Sequence, residues 1–193
     1  MRNYEDKSYN REEYDRLCER HTGSNDIFRG RILHVMDDTV SLPNGKSASR
    51  ELIRHIGAVC VIPVTEDGMV YVERQYRYPI DRVITEIPAG KLDSDDEDIL
   101  EAAKRELREE TGLTAEAWTD LGLFFPAAAY CDETITMFLA RGLREGVQQL
   151  DPDEFLDVKK VPLTTLVDEV MNGTITDAKT QCAVLKAARL LKI

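Results

Sequence analysis

The sequence predicts an α+β fold, an α/β/α sandwich preceded by a small N-terminal antiparallel β-sheet. Strand-like segments alternate with a few helical ones, which is typical of architectures in which helices cover a sheet. The chain has 193 residues, enough for one well-buried domain with a small appendage. We therefore expect residues 1–55 to form an N-terminal arm and the small sheet, which mediates dimerisation, and residues 56–193 to form the main domain.

The first 55 residues predict an arm followed by short strands. Residues 1–25 are polar, and we expect a helical arm with Tyr4, Tyr9 and Tyr14 as its anchors. Strand patterns follow over residues 28–36 and 39–42, and Pro43-Asn44-Gly45 supplies a tight turn before a third segment that ends near residue 55. A sheet this small is marginal unless it packs on something, and a partner subunit is one candidate.

The main domain is predicted to open with a buried strand over residues 58–64 and an alternating strand from residue 69 to residue 77. A further strand covers residues 83–87. A helix is expected over 97–111, with Asp95 or Asp96 as its N-cap and Gly112 as a left-handed C-cap. Later strands are expected near 121–125, 134–142 and 155–161, and helices over 164–171 and 178–191 close the chain.

Composition excludes several classes of function. Twenty-five basic against 36 acidic residues give a net charge of −11, which disfavours binding to nucleic acid or anionic membranes. No apolar run is long enough to cross a bilayer, and the polar N-terminus is not a secretory signal, so we expect a cytoplasmic protein. The four cysteines are scattered with no CxxC pair, so a metal would be held mainly by oxygen.

The predicted helix over 97–111 carries both an apolar stripe and clustered carboxylates. Glu106 and Glu110 are four residues apart, and Glu109 lies on a neighbouring face beside them. Like charges at this spacing cost only about 0.2–0.5 kcal/mol per pair, so a solvated charged face is an open alternative. The loop before the helix favours a metal instead, because Gly90 lets backbone carbonyls approach an ion and Mg²⁺ prefers oxygen ligands.

The same stretch resembles the Nudix box, a family pattern of glycine, glutamate, Arg-Glu and Glu-Glu positions. Glu97 and Arg105 have the family spacing, and the positions from Arg105 to Leu113 match throughout. One difference lies in the loop, where six residues separate Gly90 from Glu97 and the family has five. A surface loop absorbs one extra residue at little cost.

The resemblance extends over about residues 27–190 and is to the ADP-ribose pyrophosphatase branch of the family. The segments that carry it are Ile53 to Val59, Arg74-Gln75-Tyr76-Arg77, Glu86 to Leu92, Asp153-Glu154-Phe155 and Thr176-Asp177-Ala178-Lys179-Thr180. The resemblance implies a Nudix-type α/β/α sandwich and a homodimer. In the family, the N-terminal sheet is often exchanged between the subunits.

The resemblance also implies a ligand set for Mg²⁺ or Mn²⁺. These ligands are Ala89, through its carbonyl oxygen, and the carboxylates of Glu106, Glu109, Glu110 and Glu154. Glu154 is the leading candidate for the catalytic base, with Asp153 as the alternative, and Glu106 and Glu109 are further catalytic carboxylates. Arg105 holds the carboxylates by charge-assisted hydrogen bonds, and Glu97 stabilises the loop and helix.

Substrate contacts are implied for a second group of residues. Arg77 binds the diphosphate, which a planar guanidinium grips with two donors. Glu133 and Lys91 contact the substrate, while Tyr130 borders the site or is ordinarily packed. Arg50 and Glu51 lie where relatives contact adenosine, although a plain surface pair on a β-sheet is an equal alternative.

The implied reaction is divalent-metal-dependent hydrolysis of a nucleoside diphosphate linked to another group, with ADP-ribose giving AMP and ribose 5-phosphate. Two alternatives stay open. One is the same chemistry on another nucleotide sugar, such as GDP-mannose. The other is a non-catalytic Nudix module that only binds its ligand, which the complete Arg105-Glu106 and Glu109-Glu110 pairs disfavour.

Overall fold

The structure is a computed structural model that describes residues 10–193. It divides the chain into two compact units. One contains the described residues up to His55 together with Ala127–Asp132, and the other contains Ile56–Pro126 and Glu133–Ile193. Across the described residues, no helix has both the length and the apolar character that a bilayer crossing needs.

The N-terminal unit contains the small antiparallel sheet that the sequence predicts. Helix α1 covers Arg11–Leu17, and strands β1 (Arg20–Arg29), β2 (His34–Ser41) and β3 (Ser47–Arg54) follow in the spatial order β1-β2-β3. The predicted helical arm is wrong beyond Leu17, because β1 pairs with β2 from Arg20 onward. Pairing with the next strand of the hairpin outweighs the polar composition of residues 20–29. Tyr4 and Tyr9 lie outside the described residues.

The main unit contains seven strands in two sheets, within the part of the chain described. One sheet has the order β10-β5-β6 and the other β7-β4-β9-β8. The strands are β4 (Ala58–Pro63), β5 (Met69–Arg77), β6 (Arg82–Glu86), β7 (Ala89–Lys91), β8 (Thr114–Phe124), β9 (Ile135–Arg144) and β10 (Leu156–Pro162). A 3-10 turn, Tyr78–Ile80, links β5 to β6. Helices α2 (Ile99–Thr111), α3 (Leu163–Met171) and α4 (Ala178–Leu191) complete the unit.

Strand β4 shows how these elements form layers. Its alternate side chains belong to two different apolar clusters: Val59 and Val61 pack with α2, whereas Cys60 and Ile62 pack with α3 and α4. Successive side chains of a strand point to opposite faces, so α2 covers one face and α3 with α4 covers the other. The predicted α+β fold with an α/β/α sandwich is confirmed.

Helix α2 begins two residues later than the sequence predicts. Asp98 is its N-cap and accepts hydrogen bonds from the backbone N–H groups of Leu100 and Glu101 at 2.9 and 3.0 Å. The prediction of Asp95 or Asp96 as the cap is therefore wrong. Gly112 ends the helix with a φ of 74°, as predicted.

Candidate active site

Two glutamates of α2 lie against the short strand β7. The backbone N–H of Ala89 donates to Oε2 of Glu110 at 2.8 Å. A Cβ atom at position 90 would lie 2.1 Å from the carboxylate carbon of Glu106. Only glycine leaves room for that carboxylate, so Gly90 allows α2 and β7 to approach this closely.

Burial makes these carboxylates hard to ionise. It raises the pKa of Glu106 to about 7, against the opposing effect of Arg105. For Glu110, burial and then repulsion from Glu73 and Glu106 raise the pKa well above its usual range. Buried carboxylates shift in this way when no cation compensates for the loss of water. The chemistry of this pair therefore suits a bound cation.

Arg105 connects the α2 carboxylates to the preceding loop. Its Nη1 donates to Glu106 at 2.7 Å and to Glu109 at 3.3 Å, and its Nε donates to Glu97 at 3.1 Å. Its Nη2 also donates to the carbonyl oxygen of Lys91 at 3.2 Å. Glu97 in turn accepts from the backbone N–H of Asp93 at 2.7 Å. One guanidinium thus ties the loop to the helix.

Strand β5 adds a buried acid that the sequence analysis did not identify. Glu73 is 2% exposed, and its Oε1 has no hydrogen-bond partner among the described residues. Burial, then repulsion from Glu154 and Glu86, raises its pKa. Because side chains alternate along a strand, Glu73 shares one face of β5 with Gln75 and Arg77.

Arg77 and Lys179 both form ion pairs with Glu86 at the end of β6. Nε and Nη2 of Arg77 donate to this carboxylate at 2.7 and 3.2 Å, and Nζ of Lys179 donates to its Oε1. Glu86 pairs with Glu73 across β5 and β6. Two acids thus lie side by side: Glu86 bonds two cations, whereas Oε1 of Glu73 has no hydrogen-bond partner among the described residues.

Glu154 lies in the loop before β10, and the structure brings it near the α2 carboxylates. It is half-buried, and it repels Glu73, Glu106 and Glu110. Burial raises the pKa of Glu154 as well. Asp153, the alternative on the same loop, is exposed.

The segment that leads to this loop is fastened to the end of α2. The side-chain amide of Gln148 donates to the carbonyl oxygen of Glu110 at 2.5 Å. The backbone N–H of Gln149 donates to the carbonyl oxygen of Glu109 at 2.8 Å. A Cβ atom on Gly112 would lie 2.8 Å from the backbone nitrogen of Gln148. The C-cap glycine is therefore also required for close packing of this segment.

The remaining predicted residues lie in both units. Lys91 is exposed at the end of β7, and Glu133 is half-buried in the loop before β9. Arg50 and Glu51 are on β3 of the N-terminal unit, where Arg50 forms an ion pair with Glu19. Tyr130 belongs to that unit and is exposed.

The sequence analysis did not assign site roles to Glu73, Glu86 and Lys179. One signal was available for Glu73, a charged residue inside a strand whose preceding residues are apolar. The Glu86–Lys179 pair had no local signal, because its members are 93 positions apart.

The donor set fits a divalent cation. The buried oxygen of Glu73 that lacks a hydrogen-bond partner, and the desolvated carboxylates of Glu106 and Glu110, are hard oxygen donors of the kind that Mg²⁺ prefers. Within residues 10–193, no three His, Cys, Asp or Glu side chains form a ready-made metal cage. Mg²⁺ does not need one, since it usually keeps several waters and binds one or two carboxylates with substrate phosphates.

Known proteins resemble this chain in sequence and in fold. Residues 54–180 match the model of the NUDIX domain. An ADP-ribose pyrophosphatase of Bacillus subtilis is 39% identical over 87% of this chain and 91% of its own length. A methanol dehydrogenase activator of Bacillus methanolicus is 41% identical over 82% of this chain and 86% of its own length. A crystal structure of an ADP compounds hydrolase matches with a TM-score of 0.80 at 24% identity, over 90% of this chain and 94% of that one.

Proposed function

This chain belongs to the Nudix family of hydrolases, and we propose that it hydrolyses ADP-ribose to AMP and ribose 5-phosphate. The observation that carries the proposal is the buried pair Glu106 and Glu110, packed against the backbone of Ala89 and Gly90. A pair of buried carboxylates against the glycine-containing strand β7 suits chemistry on a phosphate anhydride, because a cation held there neutralises the charge of the phosphates. The similarity to the Bacillus subtilis pyrophosphatase supports ADP-ribose as the substrate.

The residues that would hold Mg²⁺ or Mn²⁺ are Glu106 and Glu110, with Glu109, Glu154 and the carbonyl oxygen of Ala89 as further ligands. Glu73 joins this set because of its burial and its unpaired oxygen. When bound, such an ion polarises phosphoryl oxygens and lowers the pKa of a coordinated water.

The chain's own side chains perform the remaining tasks. Arg77 uses Nε and Nη2 on Glu86, which leaves Nη1 as a donor for a diphosphate oxygen. Glu154 accepts the proton of the attacking water as the P–O–P bridge breaks. Arg105 keeps Glu106 oriented by their 2.7 Å bond. The parts of the substrate other than the diphosphate are assigned to Lys91, Glu133, Arg50 and Glu51.

A substrate panel tests the proposal most simply. Purified protein is incubated with ADP-ribose, GDP-mannose and a dinucleotide in Mg²⁺, Mn²⁺ or EDTA, and products are separated by chromatography. We expect AMP and ribose 5-phosphate from ADP-ribose with either metal, and no products in EDTA. Reaction in H₂¹⁸O then identifies the attacked phosphorus, because the label enters only one product. Preference for GDP-mannose would replace the substrate assignment, and tight binding of ADP-ribose without turnover would favour a binding module.

A second candidate function follows from the relative named methanol dehydrogenase activator, which is 41% identical. In this alternative the chain stimulates a partner enzyme. Adding the protein to a methanol dehydrogenase assay distinguishes the two, with Glu106→Gln as the control. Stimulation that survives this substitution would separate activation from hydrolysis.

We assign the N-terminal unit to homodimer formation in a cytoplasmic protein. Around the β1–β2 hairpin, Ile27, Phe28, Ile32 and Leu33 are all exposed in the single chain. Exposed apolar side chains that cluster in sequence on one hairpin are typical of an interface. Light scattering after size-exclusion chromatography should give twice the 21.9 kDa chain mass.

A further inference from the structure

Glu86 is a buried carboxylate that two cations share. Its side chain is 4% exposed, and Arg77 bonds it through two nitrogens. Lys179, in the first turn of α4, donates to Oε1 of the same carboxylate. A buried carboxylate requires charge-assisted hydrogen bonds to remain ionised. Lys179 therefore supplies one of the charged hydrogen bonds to Glu86, and Arg77 supplies the other two.

Lys179 is itself fixed in place. Its side chain is 11% exposed, and its Nζ lies 3.0 Å from Oδ1 of Asp177. Asp177 is the N-cap of α4 and accepts hydrogen bonds from the backbone N–H and the hydroxyl of Thr180 at 2.9 and 2.6 Å. That hydroxyl accepts from the backbone N–H of Ile87 at 3.0 Å. The start of α4 is thus joined to the residue that follows Glu86.

The four side chains form a row of alternating charge: Arg77, Glu86, Lys179 and Asp177. Arg77 is at the exposed end, with 41% of its side chain accessible. Without the cation at position 179, Glu86 would keep Arg77 as its remaining described partner, beside the buried Glu73. The guanidinium would then be drawn more fully onto Glu86, and the net charge near it would fall by one.

We propose that Lys179 is a positioning residue for the substrate diphosphate. By sharing Glu86 it fixes the orientation of the Arg77 guanidinium and leaves Nη1 available to phosphate oxygens. The inference rests on the proposed function, in which Arg77 binds the diphosphate. Lys179 acts through Glu86 and does not itself contact the reacting atoms.

The test is steady-state kinetics with ADP-ribose in saturating Mg²⁺, using Lys179→Gln, Lys179→Met and Lys179→Arg. For the Gln and Met variants we expect KM to rise about tenfold or more and kcat to fall less than about threefold. The reason is that a misoriented Arg77 would lose its charged hydrogen bond to the diphosphate, which contributes to binding. Lys179→Arg keeps a cation and should hold KM within about threefold. Lys186→Gln is the matched control on the same helix, where Nζ bonds only the carbonyl oxygen of Leu121 in the described contacts, and its KM should not change.

A double-mutant cycle separates positioning from a general structural role. If Lys179 affects substrate binding by orienting Arg77 through Glu86, its loss should matter little once Arg77 is gone. Adding Lys179→Gln to Arg77→Gln should then raise KM by no more than about threefold over Arg77→Gln alone. Additive effects, an unchanged KM in the single variants, or failure of both Gln and Met variants to fold would each overturn the inference. A wild-type chain that does not hydrolyse ADP-ribose would instead overturn the proposed function, and the inference with it.

Discussion

Gly90→Ala tests the proposed site at its most crowded point. The added Cβ would lie 2.1 Å from the carboxylate carbon of Glu106, whereas ordinary van der Waals contact begins at 3.4 Å. The carboxylate must therefore move by about 1.3 Å, and misplacing a catalytic group by about 1 Å costs about a hundredfold in rate. That loss corresponds to about 2.7 kcal/mol of transition-state stabilisation. The fold should persist, because the obstructing group is the end of a flexible side chain.

The assay is ADP-ribose turnover in saturating Mg²⁺, with circular dichroism and thermal unfolding as checks on folding. Gly23→Ala is the matched control, because a Cβ atom there meets nothing within 4 Å, and its turnover should equal that of the wild type. A folded Gly90→Ala variant with turnover within about threefold of wild type would refute the reasoning, since Glu106 would then tolerate a displacement that metal binding should not allow.

Three further predictions concern the same region. Glu106→Gln and Glu110→Gln should each lower kcat by at least about a hundredfold without lowering the melting temperature, because a neutral amide removes charge that stabilises the transition state; near-normal turnover would contradict the metal assignment. Glu73→Gln should raise the melting temperature in EDTA by a few degrees, because a neutral amide removes the cost, about 1–3 kcal/mol, of burying an acid whose ionisation Glu154 and Glu86 oppose. The variant should also show a smaller further rise on adding Mg²⁺; an unchanged response to Mg²⁺ would remove Glu73 from the ligand set. Gly112→Ala should lower the free energy of unfolding, measured in urea, by about 2 kcal/mol or more, because position 112 has a positive φ and its added Cβ would meet the backbone of Gln148. A neutral effect would show that the segment containing Gln148 packs less tightly on the end of α2.

The sequence predicted α2, its C-cap and the clustering of its acids because the signals there are local. An apolar stripe, a C-cap glycine and acids four residues apart are all visible within one short stretch. The helix start was missed for an equally local reason: several acids precede Ile99, and only the structure shows that Asp98 takes the backbone N–H groups.

The contacts among the buried charged residues beside the site were much harder to predict. Glu73 and Glu86 meet because β5 and β6 pair in one particular register, and Lys179 reaches them from a helix far along the chain. Contacts of this kind depend on tertiary packing, which no periodicity encodes. Strand β1 was missed for a different reason: its residues are mostly polar and carry no strand periodicity, and they form a strand by pairing with the neighbouring β2.

A crystal structure with Mg²⁺ and a non-hydrolysable ADP-ribose analogue tests the central claim most directly. The account predicts metal density bridging the diphosphate and the carboxylates of Glu106 and Glu110, with Arg77 on a phosphate oxygen. Metal bound elsewhere, with both carboxylates unliganded while the analogue is in place, would contradict it.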